Sequence, residues 1–234
     1  MRRAGNDRLL PLLAYEAPKR ILDIVVATVG LLVLALPIAA IVAAIWATDP
    51  RAPVLFRQRR TGRHGHRFVL LKFRTMVANA DAVKERYRHL STVPWPDFRV
   101  ENDPRVTRVG RVLRRTSLDE LPQLVNVLRG EMSLVGPRPE RPAYIESFRH
   151  AVPGYMLRHK VRAGMTGWAQ VHGWRGDTSI QERLEHDLYY IQKWSFWLDL
   201  RILAMTLLRL GRPARAPLDV EPDSEDRGVA DPLA

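Results

Sequence analysis

Two adjacent carboxylates, Asp119 and Glu120, lie in the stretch Thr116-Ser117-Leu118-Asp119-Glu120-Leu121-Pro122. Arg111, Arg114 and Arg115 precede them, and Gly136-Pro137-Arg138-Pro139-Glu140-Arg141 follows. These residue types suit chemistry at phosphorus. A carboxylate with a pKa near ~4 is ionised at neutral pH and can attack phosphorus without a separate base. Its neighbour can hold Mg²⁺, which neutralises a diphosphate enough for a negatively charged nucleophile to approach. Guanidinium groups steady the oxygens that carry charge in the transition state. Arg138 stands between Pro137 and Pro139, whose rings restrict the backbone on both sides of it. The same residues also read as helix punctuation. Ser117 with Glu120 three later is a capping-box pattern, and Asp119 can itself be an N-cap with Pro122 in the first turn. On spacing alone the cap is the simpler reading, and both stand.

Composition narrows the alternatives. The chain has 234 residues, 46% hydrophobic and 26% charged, enough for a packed core and too apolar for global disorder. Cysteine is absent, which excludes disulfide scaffolds, thiolate zinc sites and cysteine nucleophiles. The formal charge is +12, and of 37 cationic residues 32 are Arg and 5 are Lys. That balance suits a polyanionic partner: nucleic acid, an anionic membrane surface or a phosphorylated substrate. No phosphate-binding P-loop, dinucleotide fingerprint or nucleophile elbow is present. His64 and His66 lack a second pair at metal-ligand spacing and read as a solvated loop. The Arg clusters come with no helix-turn-helix, zinc-finger or aromatic RNA-platform pattern.

The elements that must position these residues begin with a long apolar run. Residues 21–47 carry one charge, Asp23, over 27 residues. As straight helix that is about 40 Å, against a hydrocarbon core of about 30 Å. The run reads as membrane-inserted, since a cleaved signal has a shorter apolar region nearer the N-terminus. Pro37 interrupts it, leaving legs of 16 and 10 residues. Arg2, Arg3, Arg8, Lys19 and Arg20 lie before the run, and Arg57, Arg59, Arg60, Arg63 and Arg67 after it. Basic flanks on both sides draw both ends to the cytoplasm, so a re-entrant hairpin bent at Pro37 is expected. A tilted single-pass helix with a mild kink is the alternative.

Further along, residues 54–56 and 68–73 read as short strands around the turn Thr61-Gly62-Arg63-His64-Gly65. Residues 77–90 look like a polar helix. Residues 91–105, with Pro94, Pro96 and Pro104, look like loop. Leu121, Leu124, Val125 and Leu128 mark an amphipathic helix that Gly130 ends, and Ile180, Leu184, Leu188 and Ile191 mark another. A third, from about 194 to 210, suits a membrane interface as well as a buried amphipathic helix. The expected fold class is α/β and mostly helical. A basic segment (1–18) leads into a membrane-embedded helix broken at Pro37 (19–48). A compact cytoplasmic catalytic domain with short strands and interfacial amphipathic helices follows (49–211), then a disordered acidic tail (212–234).

Several separated motifs occur in order. They are Lys19-Arg20-Ile21-Leu22-Asp23, Phe56-Arg57-Gln58-Arg59-Arg60-Thr61-Gly62, Lys72-Phe73-Arg74-Thr75-Met76 and Asn102-Asp103-Pro104-Arg105-Val106-Thr107. Then come Ser117-Leu118-Asp119-Glu120-Leu121-Pro122-Gln123-Leu124, Ser133-Leu134-Val135-Gly136-Pro137-Arg138-Pro139, Gly164-Met165-Thr166-Gly167-Trp168-Ala169-Gln170 and Asp187-Leu188-Tyr189-Tyr190. Over residues 19–210 the chain resembles the bacterial sugar transferases, the monotopic polyprenol-phosphate phosphoglycosyl transferases.

The resemblance implies transfer of a hexose 1-phosphate from a UDP-sugar to undecaprenyl phosphate, with release of UMP, as a first membrane step in exopolysaccharide, capsule, O-antigen or glycoprotein glycan assembly. It implies that Asp119 is the nucleophile of a covalent phospho-sugar intermediate and that Glu120 is tied to Mg²⁺. Arg114 and Arg138 are implied to bind phosphate, with Lys72 a weaker carry-over. Ser117, Pro137 and Pro139 support the motif and Pro37 is the membrane hinge. The implied partners are the UDP-sugar, undecaprenyl phosphate and inner-membrane lipids, with a homodimer left open and no nucleic acid. The implied place is the cytoplasmic face of the bacterial inner membrane. Three residues depart from the family pattern: Leu36 replaces the usual Ser before the proline, Ala163 a common Pro, and His172 a common Asn. Residues 173–178 look like members that transfer glucose or galactose. Two readings from other classes compete: a membrane-tethered basic binding protein without catalysis, and a membrane phosphohydrolase that uses water as acceptor.

Overall fold

The computed structural model describes residues 10–91, 100, 102–174 and 178–209. The expectations for the acidic tail, for most of the 91–105 loop and for residues 175–177 lie outside the described residues. Helix α1 (Leu10–Val33) leads into α2 (Ala35–Thr48), the hairpin β1 (Leu55–Thr61) and β2 (Arg67–Phe73), and α3 (Arg108–Thr116). Next come α4 (Gln123–Leu128), β3 (Met132–Val135), α5 (Pro142–Ala151), β4 (Ala163–Thr166), α6 (Trp168–Val171), α7 (Ile180–Gln192) and α8 (Phe196–Arg209). The fold is mostly helical, with few and short strands. β1 and β2 pair antiparallel from Leu55 opposite Phe73 to Thr61 opposite Arg67, around the expected turn. β3 and β4 pair parallel, with Met132 opposite Ala163.

α1 begins at Leu10, inside the stretch expected to be a separate basic segment, and its lower half belongs to the main core. Ala27 is buried with Val127, Met132, Val135, Tyr190 and Ile202. Arg20 donates to the carbonyls of Val127 (2.6 Å) and Leu128 (2.7 Å) at the end of α4, where a helix leaves unsatisfied acceptors and favours positive charge. Asp23 Oδ1 accepts from Ser133 Oγ (3.0 Å) and from the Leu134 amide (2.9 Å) on β3. The buried Lys19 ammonium donates to Asp199 of α8 at 2.5 Å.

The break in the apolar run falls at Leu34, not at Pro37. Proline clashes with the carbonyl four residues before it, here that of Val33, so α1 stops there. Pro37 then occupies the first turn of α2, where its missing N–H needs no intrahelical partner. The two helices meet at 64°. Among the described residues no single helix is long and apolar enough to cross a membrane, but the bent pair qualifies together by length and composition. Around the bend, Leu32, Val33 and Leu36 are 72, 72 and 83% exposed, so no part of the described chain covers them.

Residues 77–90 form turns and a short 3₁₀ helix (Glu85–Leu90) where an α-helix was expected. The segment buries only Ala80 and lacks an apolar stripe to pack. Short isolated helices are marginal without one. α8 buries Ile202 while Trp197, Leu207 and Leu208 stay exposed, so one face is core and the other open.

Candidate active site

α3 starts at Thr107, whose hydroxyl caps the Gly110 amide (2.9 Å). Gly110 lets the helix lie directly on the chain leaving β2: a Cβ there would come within 2.0 Å of the Thr75 carbonyl oxygen. That approach brings Arg114 Nε to Thr75 Oγ1 at 2.9 Å. α3 ends at Ser117, in the left-handed region (φ 60°), which turns the chain into a 3₁₀ turn (Leu118–Glu120). The capping reading does not hold. Neither Ser117 nor Asp119 caps a helix through its side chain, and α4 begins after Pro122 with no side-chain cap. A capping box needs an N-cap in extended backbone, and Ser117 is left-handed. The two carboxylates are thereby released from local duty.

They face β2 and the loop after β3. Glu120 Oε1 accepts from Lys72 Nζ (2.7 Å) and from Arg138 Nη2 (3.0 Å). Asp119 is 8% exposed, and its Oδ2 lies 3.9 Å from Lys72 Nζ. Among the described residues Asp119 has no side-chain hydrogen bond. The structure thus brings Asp119, Glu120, Lys72 and Arg138 together, with Arg114 held beside them by Thr75. Pro37 lies apart, in the first turn of α2. Pro137 and Pro139 flank Arg138 in a loop seated where β3 and β4 end. Gly164 makes that seat: a Cβ on it would fall 2.1 Å from the Gly136 nitrogen.

The charges act on one another. Burial resists ionisation of Glu120, but the nearby charges of Arg138 and Lys72, and their hydrogen bonds, outweigh it and hold its carboxyl well below the usual range. Glu120 in turn holds Arg138 above its ordinary value. Asp119 goes the other way. Burial raises its pKa, Lys72 pulls it back, and Glu120 adds to the rise. The unperturbed carboxyl assumed from sequence is therefore a perturbed one. Next to the pair, Arg60, Leu70, Lys72, Gln123, Arg138 and Pro139 line a small cavity of about 10 Å³.

For Mg²⁺, among the described residues no cluster of three or more His, Asp or Glu side chains can form a protein cage. Two adjacent carboxylates remain, one with an oxygen already committed to two cations. Mg²⁺ is commonly bound by one or two carboxylates plus substrate phosphates and water. The donor set fits that arrangement.

Sequence reasoning missed Asn126. It is fully buried, accepts from the Leu71 amide (3.0 Å) and donates to the Val69 carbonyl (2.8 Å), locking α4 to the strand that carries Lys72. The available signal was a polar residue within the apolar stripe of α4. Also missed were the buried Arg158–Asp187 pair (2.7 Å) and the Arg183–Glu140 pair (2.8 Å) behind the Pro-Arg-Pro loop. Asp187 stood in a quoted motif without a role, and nothing local marked Arg158.

A family model described as bacterial sugar transferase matches residues 14–212. The UDP-glucose:undecaprenyl-phosphate glucose-1-phosphate transferase of Escherichia coli K12 is 46% identical over 211 residues, covering 88% of this chain and 41% of that one. The UDP-N-acetylgalactosamine-undecaprenyl-phosphate N-acetylgalactosaminephosphotransferase of Aeromonas hydrophila is 40% identical, covering 85% and 45%. The exopolysaccharide production protein ExoY of Rhizobium meliloti is 40% identical, covering 81% and 83%. The chain spans about two fifths of the length of the E. coli relative. With its Asp-Glu pair, its Pro-Arg-Pro loop and a match over nearly its whole length, the chain belongs to the bacterial sugar transferase family.

Proposed function

We propose that this chain transfers a hexose 1-phosphate from a UDP-sugar to undecaprenyl phosphate at the cytoplasmic face of the bacterial inner membrane. One observation carries the reading. Glu120 is gripped by Lys72 and Arg138, while the Asp119 side chain stands beside them, buried and without a hydrogen bond among the described residues. A carboxylate with no hydrogen bond to surrender is a good nucleophile, and the adjacent cations suit a phosphate that must be reached by an anion.

In the first step an Asp119 oxygen forms a bond to the sugar-bearing phosphorus, and the bond from that phosphorus to the bridging oxygen breaks. UMP leaves with the bond's electron pair. In the second step an oxygen of undecaprenyl phosphate attacks the same phosphorus and Asp119 is released as carboxylate. Arg138, Lys72 and Arg114 hold the phosphate oxygens through both steps. Glu120 keeps Lys72 and Arg138 in place and would hold Mg²⁺. When bound, that ion supplies charge neutralisation on the diphosphate. Burial of Asp119 limits water's access to the intermediate.

The exposed apolar bend of α1 and α2 supports a re-entrant membrane helix with both ends in the cytoplasm, where UDP-sugars occur. The hinge is the Leu34–Pro37 stretch. Cysteine probes at Asn6 and His66 should both resist an impermeant thiol reagent in intact cells and react after permeabilisation. Labelling at Asn6 in intact cells would establish a single-pass helix instead.

The donor is a UDP-hexose, and glucose, galactose and N-acetylgalactosamine are the first to test. The activity test is UMP release by detergent-solubilised protein from each UDP-sugar with Mg²⁺, with and without undecaprenyl phosphate. Sustained turnover that requires the lipid is expected. Sustained turnover without lipid would identify a hydrolase. No release from any donor would identify a binding protein.

A further inference from the structure

The Pro-Arg-Pro loop cannot hold itself, because Pro137 and Pro139 have no N–H to donate. Its carbonyls are held from outside. Pro137 accepts from the Gly164 amide (2.9 Å) and Glu140 from the Thr61 amide (3.0 Å). The two carbonyls between them are held by side chains. Arg158 Nη2 donates to the carbonyl of Arg138 (3.0 Å), and Arg60 Nη1 to that of Pro139 (3.1 Å).

Each of these guanidinium groups is itself fixed. The Arg158 side chain is 1% exposed, donating from Nε to Asp187 (2.9 Å) and from Nη1 to the Tyr155 hydroxyl (2.7 Å). Arg60 donates from Nη2 to Gln58 Oε1 (2.6 Å). A buried ion pair is a weak source of stability, but a rigid planar fork pinned on two sides aims its remaining donor in one direction. Such aim is needed here. Arg60 lies close enough to Arg138 and Arg141 that burial, and then the Arg138 charge, lower its pKa to about 10. Glu140, 3.9 Å from Arg60, offsets part of that repulsion, and the bond to the Pro139 carbonyl fixes where the loop's main chain sits.

We propose that Arg60 and Arg158 are positioning residues, each fixing one carbonyl of the Pro-Arg-Pro loop and so holding the Arg138 guanidinium against Glu120. This rests on the reading of Arg138 as a phosphate-binding residue. Lys at either position keeps the charge but loses the fork, so the loop should drift. A displacement of about 1 Å in a positioned group can lower a rate by about a hundredfold.

The test is a pair of double-mutant cycles read as kcat/KM for UMP release, with thermal melts alongside. Arg60→Lys and Arg158→Lys should each lower kcat/KM about tenfold or more. In an Arg138→Lys background neither should cause a further loss beyond about twofold, because the group they position is already gone. Losses that multiply in the double variants, or single variants with wild-type kcat/KM, would overturn the proposal. If Arg158→Lys fails to fold, the Arg60 cycle decides alone, since Arg60 is less buried than Arg158 and faces Glu140 only at 3.9 Å. An Arg138→Lys enzyme with wild-type kinetics would overturn the phosphate reading and this proposal with it. A slow Arg138→Lys enzyme with multiplicative losses overturns only the positioning roles.

Discussion

Two buried charge clusters in this molecule are built differently. At the foot of α1, Lys19 pairs with Asp199, and the single hydroxyl proton of Tyr190 lies between Asp199 Oδ1 (2.8 Å) and the Val135 carbonyl (3.1 Å). Asp23 is held by Ser133 and Leu134 nearby. The Lys19 and Asp23 bonds join the first helix to the rest of the core. Around Asp119 the cations Lys72, Arg114 and Arg138 outnumber two carboxylates, one of which has no hydrogen bond among the described residues. Arg138 is still 31% exposed. Both clusters hold ionised groups that water would rather solvate. The first is wholly buried and fixes position, although Asp23 Oδ2 has no hydrogen-bond partner among the described residues. The second is left with cationic capacity that an anionic substrate can complete.

The comparison predicts opposite consequences for mutation. Asp119→Asn should lower UMP release by about 10⁴-fold or more, the scale seen when a nucleophile is removed. Its melting temperature should stay the same or rise, because no helix cap is lost and a buried charge is removed. A large drop in melting temperature would mean that the site cluster is structural after all. Lys19→Met should do the reverse. It leaves the buried Asp199 without its cation, at a cost of about 3–5 kcal/mol, while kcat/KM per folded molecule stays near wild type. Loss of specific activity without loss of stability would break the distinction.

His159, next to Arg158, gives a pH test. Burial, and then the Arg158 charge, push its pKa down to about 4. The unfolded imidazole titrates near ~6.5. Between those values the unfolded chain binds a proton that the folded chain does not. Stability should therefore be full above about pH 6.5 and fall as the pH drops toward 4, by at most about 3 kcal/mol. Between pH 7 and pH 4.5 the wild type should lose about 2 kcal/mol more stability than His159→Gln, and equal losses would contradict it.

The smallest effect is at Ser117. Glycine tolerates the left-handed backbone without strain, so Ser117→Gly should stabilise by up to about 1 kcal/mol. If Ser117 were a helix cap, glycine would instead be neutral or slightly worse.

The chemistry was more legible in the sequence than its supports. Asp119, Glu120, Lys72, Arg114 and Arg138 sit in short motifs, and the structure gathers them. The hairpin that carries Lys72 showed as two short apolar runs around a Gly-containing turn, but the Arg-rich residues 57–61 that complete β1 gave no strand signal. The capping pattern misled because spacing does not report φ, and Ser117's left-handed backbone decides the matter. The hinge was misplaced by three residues because proline acts on the carbonyl four positions before it. Asn126 showed only as a polar residue in an apolar helix, and Arg60 and Arg158 did not show as supports. Their partners lie 55, 79 and 20 residues away, and no local pattern encodes such contacts.

The most direct test of the account is to incubate purified protein with UDP-sugar and Mg²⁺, omit undecaprenyl phosphate, quench, and map any adduct by peptide mass spectrometry. The account predicts about one UMP per protein, then arrest, with a hexose-phosphate adduct on the peptide containing Asp119 that disappears when the lipid phosphate is added. No UMP until lipid is present, or an adduct on any other residue, would contradict the assignment of Asp119 as nucleophile.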